Sequence, residues 1–309
     1  MVAGTVLGLT GRGVTFAYVG GEQRSELGQV ISGSEKIRHQ EDPIDRHIEE
    51  DWTGFYQSWN AWDFSSSLRF LERILQRPLR DTERRFYKRL QSIAEGMQLW
   101  DLFQHKEAAR KLSRAVSEAV AITEAWEDSV KVQVLRTLEE QVKHLAILAQ
   151  KISVDEISPE LLGDLLANAQ RRADQGRYDD AITRLYRSIE LAMEIELYDK
   201  LKIRIRDPKT FPEDLKSFRG DFRESRGIRE NLEVANDLLS RRGHQNTLTR
   251  TLLEAYQGQL GGLMERRNQS ILAHGLNPVK QEDFVKFWEF LNQVGFTASP
   301  PWPRWPSKA

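Results

Sequence analysis

Arg267 and His274 stand seven positions apart in the run Arg267-Asn268-Gln269-Ser270-Ile271-Leu272-Ala273-His274. Seven residues is nearly two helical turns, so a regular helix puts both side chains on one face, along with Leu260, Leu263 and Ile271. On such a helix the two Cα atoms lie about 10.5 Å apart along the axis, which is long for one phosphate. A two-fold dimer relieves the problem, because one chain's arginine then approaches the other chain's histidine across a composite cleft. The residue types suit phosphodiester cleavage. RNA carries its own nucleophile in the 2′-hydroxyl, so a protein need only move protons and stabilise negative charge on the phosphate. An unperturbed histidine titrates near ~6.5 and serves as the proton carrier, while the arginine stays charged and forks onto phosphate oxygens. Asn268 is placed to orient either partner. Taken alone the pair is a weak signal, since a solvated or capping pair on any helix is spelled the same way.

The elements that must position this pair are helical. From about Arg46 onward apolar residues recur at spacings of three and four, and Pro or Gly falls at plausible helix boundaries. Three places repeat a phrase that marks a helix-helix corner: Trp62-Asp63-Phe64, Trp100-Asp101-Leu102-Phe103 and Gly176-Arg177-Tyr178-Asp179, leading to Leu68, Ala108 and Ala181. Such corners suit tetratricopeptide-like repeats or ordinary helical hairpins equally. Lys151 to Pro159 is a linker, and helices are predicted over 161–175, 178–201, 229–240, 248–273 and 281–294, with a polar connection containing Pro208 and Pro212. The closing Pro300-Pro301-Trp302-Pro303-Arg304-Trp305-Pro306 predicts an extended tail whose tryptophans dock on the body.

The first forty residues differ. Val2 to Leu9 is a small-residue helix or strand, Gly11 to Gly13 a turn, Val14 to Val19 a strand broken by Gly20-Gly21, and Gln29 to Ile31 a second short strand. A unit this small leaves strand edges unpaired, so it is expected to be the end of a larger α/β domain. The fold class is thus mainly α, with a short α/β segment over 1–45, a helical middle region over 46–159 and a C-terminal helical bundle over 160–309.

Composition narrows the classes. The 45 Lys and Arg nearly cancel the 46 Asp and Glu, so any RNA grip must come from a local patch. The absence of Cys excludes disulfides, thiolate zinc sites and a cysteine nucleophile, and fits a reducing cytoplasm. The six histidines form no close metal-binding pair, so neither a metal nor another cofactor is expected. No stretch approaches the ~18 apolar residues of a membrane span. Among other charged residues, Arg171, Arg172, Arg184 and Arg187 suit either an RNA-facing patch or surface ion pairs. Arg219, Arg223, Arg226 and Arg229 mark a loop over the cleft or a solvated connection. His39, His47, His105 and His144 are expected to be surface or packing residues, and Asp179-Asp180 and Glu139-Glu140 helix-start and solvated-face charges.

Arg267-Asn268 followed by His274 resembles the Arg-polar-x(n)-His motif of HEPN ribonucleases, whose helical bundles usually dimerise. The run from Ala173 to Glu190, and Ser270-Ile271-Leu272-Ala273-His274-Gly275, are similar to such domains in CRISPR-associated CARF-HEPN ribonucleases of type III systems. The resemblance covers essentially the whole chain. It implies that Met1 to Gly21 closes a Rossmann-like CARF sensor, that the strands and residues gripping a cyclic oligoadenylate activator would precede Met1, and that this is an N-terminally truncated member. It implies Arg267 and His274 as the catalytic pair and Asn268 as the polar companion, with Arg266 the competing arginine. The expected activity is metal-independent endonucleolytic cleavage of single-stranded RNA in antiviral defence, by a homodimer. The rival expectations are a non-catalytic helical scaffold or RNA-binding module in which Arg267 and His274 build the dimer contact, and an enzyme held in check as a toxin by a separate antitoxin.

Overall fold

The computed structural model describes residues 16–21, 25–26, 35–40, 43–154, 156–205, 207–215, 227–273 and 275–306. Among them the chain is mainly α, with eleven α-helices and one two-stranded ribbon. It divides into two units, one comprising the described residues up to 146 together with 303–306, the other residues 147–302.

In the first unit, β1 (Phe16–Gly21) and β2 (Glu35–Gln40) pair antiparallel, with Phe16 opposite Gln40 and Gly21 opposite Glu35. The expected break at Gly20-Gly21 does not occur, since both glycines remain in the ladder. The predicted elements over Val2 to Gly13 and over Gln29 to Ile31 lie outside the described residues. Five helices follow: α1 (Pro43–Asn60), α2 (Phe64–Leu75), α3 (Asp81–Asp101), α4 (His105–Ala125) and α5 (Ser129–Ser153), whose last turns belong to the second unit. Their buried residues keep helical spacing: Phe55 and Trp59, Leu71 and Ile74, Phe86, Leu90 and Ile93, Leu112 and Val116, Leu135 and Leu138. Glycines let the hairpins close up. A Cβ at Gly96 would come within 2.6 Å of Leu112, and one at Gly54 would overlap the Phe70 ring.

The repeated phrase does mark corners. Trp62 and Phe103 adopt left-handed backbone at φ 60°, and Gly176 does so at φ 73°. At each, two backbone bonds close the helix end: Trp62 N–H donates to Trp59 O and Asp63 N–H to Ser58 O, Phe103 to Trp100 and Gln104 to Leu99, Gly176 to Ala173 and Arg177 to Arg172. This Schellman closure satisfies carbonyls that the helix leaves free. It recurs without the phrase at Glu127, Gly243 and Gly295. The tail is extended, as expected. Trp305 is buried against Trp52, Phe55 and Trp59, and its backbone exchanges two bonds with the Asn60 amide, at 2.8 and 2.6 Å.

The second unit holds α6 (Pro159–Asp174), α7 (Tyr178–Leu201), a 3-10 turn at Pro208–Thr210, α8 (Ile228–Arg241), α9 (Leu248–Tyr256), α10 (Gln259–Asn268) and α11 (Gln281–Gln293). Helix α7 lies at its centre, packed by α6, α8, α9, α10 and α11 around Leu185, Ile189 and Leu197. The start of α9 is fixed to α7 through Glu196. That carboxylate accepts from Leu248 N–H at 2.8 Å, Thr249 N–H at 2.7 Å and the Thr249 hydroxyl at 2.7 Å, which satisfies donors at a helix N-terminus and places negative charge against its dipole. Asp179, at the start of α7, accepts from Val279 N–H just before α11.

One predicted helix is two. The segment expected to run unbroken over 248–273 breaks between Tyr256 and Gln259, and α10 ends at Asn268. Gly258 takes φ −128°, ψ −111°, and a Cβ at Gly261 would overlap the Tyr256 carbonyl oxygen, so the close approach of the two helices requires glycine there. Among the described residues no helix is long and apolar enough to cross a membrane.

Candidate active site

Because α10 stops at Asn268, Arg267 occupies its last turn, and the expected shared helical face with position 274 is not formed. The chain leaves the helix in a tight turn instead. Ser270 N–H donates to Arg267 O, Ala273 N–H and Gly275 N–H both donate to Ser270 O, and Asn277 N–H donates to Gln269 O, all at 3.0 to 3.1 Å. Gly275 is needed for this path, since a Cβ there would overlap the Gln269 carbonyl and lie 2.6 Å from Gln269 Cα. His274 lies outside the described residues, between two neighbours that are both tied to the Ser270 carbonyl. Ser270 itself is fully buried, and its hydroxyl has no protein partner.

The rest of the expected apolar stripe divides at the helix end. Leu260 and Leu263 are buried, whereas Ile271 is 58% exposed, Leu272 52% and Leu276 88%. The turn therefore presents apolar side chains to solvent, which is unusual for so small a segment of a monomeric surface.

Arg267 is half-buried on α10 and reaches across to α7. Its guanidinium carbon sits 4.2 Å from the centroid of the Tyr186 ring, and one terminal nitrogen donates to Asn268 Oδ1 at 3.2 Å. Its Nε is buried and makes no hydrogen bond. Asn268, which accepts that bond, is exposed. Arg266 points elsewhere, 3.8 Å from the Asp283 carboxylate of α11. Sequence reasoning did not single out Tyr186. An aromatic in the middle of an amphipathic helix reads as core, and only the packing of α10 on α7 brings it under the arginine. Burial holds the Tyr186 phenol above its ordinary value; the Glu190 carboxylate adds to this and the Arg267 charge opposes it.

Arg171, Arg172, Arg184 and Arg187 do not form an exposed RNA-facing patch. Arg171 and Arg172 are buried, and burial pulls both guanidinium groups down to about 10. Arg171 stacks beneath Trp302 of the tail, 3.5 Å from the ring centroid, so the second predicted tryptophan also docks. The tail crosses α6 where Ser299 N–H donates to Gly163 O at 2.9 Å. Arg184 pairs with Asp180 and Asn168, and Arg187 with Glu190 and Glu194 at 3.0 and 2.9 Å. Arg229 pairs with Glu233, while Arg219, Arg223 and Arg226 lie outside the described residues. His47 and His144 are exposed and His105 is buried against Phe103, so these three are surface and packing residues; the side chain of His39 is outside the described set. Glu139 and Glu140 pair with Arg136 and Lys143 on the solvated face of α5.

Two family models match the chain. Residues 48–142 match the Csm6 6H domain and residues 151–295 the Csm6 HEPN domain. No curated protein matches it. The HEPN match contains α6 to α11, and with them Tyr186, Arg267 and the turn that follows α10. With the two domains matched in succession over most of its length, the chain belongs to the CRISPR-associated, Csm6-type family of HEPN proteins.

Proposed function

We propose that the chain is a metal-independent endoribonuclease that cleaves single-stranded RNA by attack of the 2′-hydroxyl on the adjacent phosphodiester. Arg267 holds the phosphate and neutralises the charge that builds on it. His274 moves the proton between the 2′-hydroxyl, the leaving 5′-oxygen and solvent, and Asn268 steadies the arginine. The products are a 5′-hydroxyl and a 2′,3′-cyclic phosphate or its hydrolysed form. The observation that carries this reading is the state of Arg267 inside the HEPN-matching span: among the described residues no carboxylate pairs with it, so its charge is available to a phosphate, and it adjoins the turn held by the Ser270 carbonyl.

The working form is a homodimer in the cytoplasm, acting in type III CRISPR antiviral defence. The exposed Ile271, Leu272 and Leu276 supply an apolar contact around position 274, where a second copy brings its own pair to a shared cleft. Residues 1–45 are the end of a Rossmann-like CARF sensor, 46–159 a helical linker and 160–309 the HEPN domain, and a cyclic oligoadenylate is the activator bound by such a sensor.

The test is cleavage of a labelled single-stranded RNA in excess EDTA by wild type, Arg267→Ala and His274→Ala, with light scattering on each. Cleavage that survives EDTA and vanishes in both variants at unchanged oligomeric state supports the ribonuclease. Variants that lose assembly, with no cleavage by the wild-type dimer, favour a non-catalytic scaffold or RNA-binding module instead.

A further inference from the structure

We infer that Tyr186 is a positioning residue, which holds the Arg267 guanidinium by its ring face and leaves its charge unneutralised for an RNA phosphate. The inference rests on the ribonuclease reading above and adds a residue to that site.

Arginines elsewhere in the second unit show the alternative. Arg184, Arg187, Arg229, Arg241 and Arg250 are each fixed by a carboxylate. A carboxylate orients a guanidinium, but it occupies the fork that a phosphate would use and cancels much of the charge. Arg267 has no such partner among the described residues, and its only side-chain hydrogen bond there goes to a neutral amide, Asn268 Oδ1. What lies against its guanidinium carbon is the Tyr186 ring, its centroid 4.2 Å away. A cation over a ring is held through the ring quadrupole, an attraction that leaves the net charge unchanged and covers a face and not an edge. The support is itself rigid, because Tyr186 stands on α7 one residue from Leu185, which is fully buried in the core around which the other helices pack. The phenol, held above its ordinary value by burial and by Glu190, stays neutral where RNA is handled and does not become a phenolate that would compete with the phosphate.

The ring and the hydroxyl are separable by substitution in the full-length chain. Tyr186→Phe keeps the ring, and its kcat and KM on single-stranded RNA are expected to stay within about 3-fold of wild type. Tyr186→Leu removes the ring, and kcat is expected to fall roughly 10-fold to 30-fold with KM changing less, because a misaligned arginine weakens the transition state more than the bound substrate. Thermal unfolding of both variants separates this from loss of fold. In parallel, NMR of selectively labelled arginine reads the contact itself. The Arg267 Nε–H and Cδ signals carry a ring-current shift that is expected to persist in Tyr186→Phe and to disappear in Tyr186→Leu. If the wild type cleaves RNA and Tyr186→Leu matches it in kcat, or Tyr186→Phe is as impaired as Tyr186→Leu, the inference is overturned while the ribonuclease stands. If the wild type does not cleave, the ribonuclease reading fails, and the NMR arm decides the contact: a shift unaltered by Tyr186→Leu refutes the holding role, and one that is lost upholds it.

Discussion

Gly275→Ala tests the turn on which the candidate site depends. The added methyl would overlap the Gln269 carbonyl and stand 2.6 Å from Gln269 Cα, and both are backbone atoms at the end of α10 that no rotamer change can move. The turn must open. Opening it gives up the Gly275 N–H to Ser270 O and Asn277 N–H to Gln269 O bonds, each 3.1 Å. At about 1 kcal/mol net per bond, with a further fraction for misplaced neighbours, the local cost is roughly 2–3 kcal/mol. Because Ile271, Leu272 and Leu276 are exposed, little core is lost with it, and the turn opens without unfolding its unit. Two readouts follow. Amide exchange at Gly275 and Asn277 should accelerate by roughly 30-fold to 160-fold, the factor corresponding to that energy, while amides in the middle of α7 keep their protection. RNA cleavage should fall at least ~10-fold at unchanged oligomeric state, since a displacement of about 1 Å at a catalytic group costs that much or more. Wild-type exchange rates at both amides, or full cleavage with the turn demonstrably open, would refute the claim that this backbone path positions the site.

Two other perturbations probe the frame. Gly261→Ala and Gly262→Ala are adjacent changes on α10 with opposite expected signs: the first drives a methyl into the Tyr256 carbonyl and should destabilise by about 1–3 kcal/mol, whereas the second meets nothing within 4 Å and should stabilise by roughly 0.5–1 kcal/mol through helix propensity, both read from urea midpoints. Glu196→Ala strips the start of α9 of a carboxylate that accepts three hydrogen bonds, and chemical denaturation should show a loss of about 2–3 kcal/mol, with a larger loss of protection in α9 than in α8.

The bounds of α7 were legible to the residue, because Gly176 announces the corner and the apolar spacing runs from Ala181 to Leu197 without interruption. The break between α9 and α10 was not, although Gly258, Gly261 and Gly262 were in view. Leu252, Leu260 and Leu263 remain buried on either side of it, so the hydrophobic pattern carries no mark of the break and outweighs the glycines in a reading by period. β2 was missed for a different reason: its sequence Glu35-Lys36-Ile37-Arg38-His39-Gln40 has no apolar alternation, and only pairing with β1 makes it a strand. Arg171 and Arg172 read as solvated because a dibasic pair near a helix C-terminus usually is. What buries Arg171 is Trp302, far along the chain, and no local pattern connects the two.

The same distinction explains the candidate site. Residue types gave the arginine, the histidine and their spacing, but the chemistry asked of Arg267 depends on what does not neutralise it. A guanidinium in the last turn of a helix already interacts favourably with the helix dipole, and Arg241 and Arg266, which share that position, also find a carboxylate. Arg267 finds a ring and an amide, and the helix that carries it stops one residue later. Had α10 continued to position 273 as its period suggested, the arginine and position 274 would have been fixed about 10.5 Å apart on a rigid rod. Ending the helix at Asn268 replaces that rod with a turn whose carbonyls at Arg267, Gln269 and Ser270 bind the chain back toward the arginine. Gly275 makes that turn possible, which is why a single methyl there bears on this backbone path more directly than a cavity in the core would.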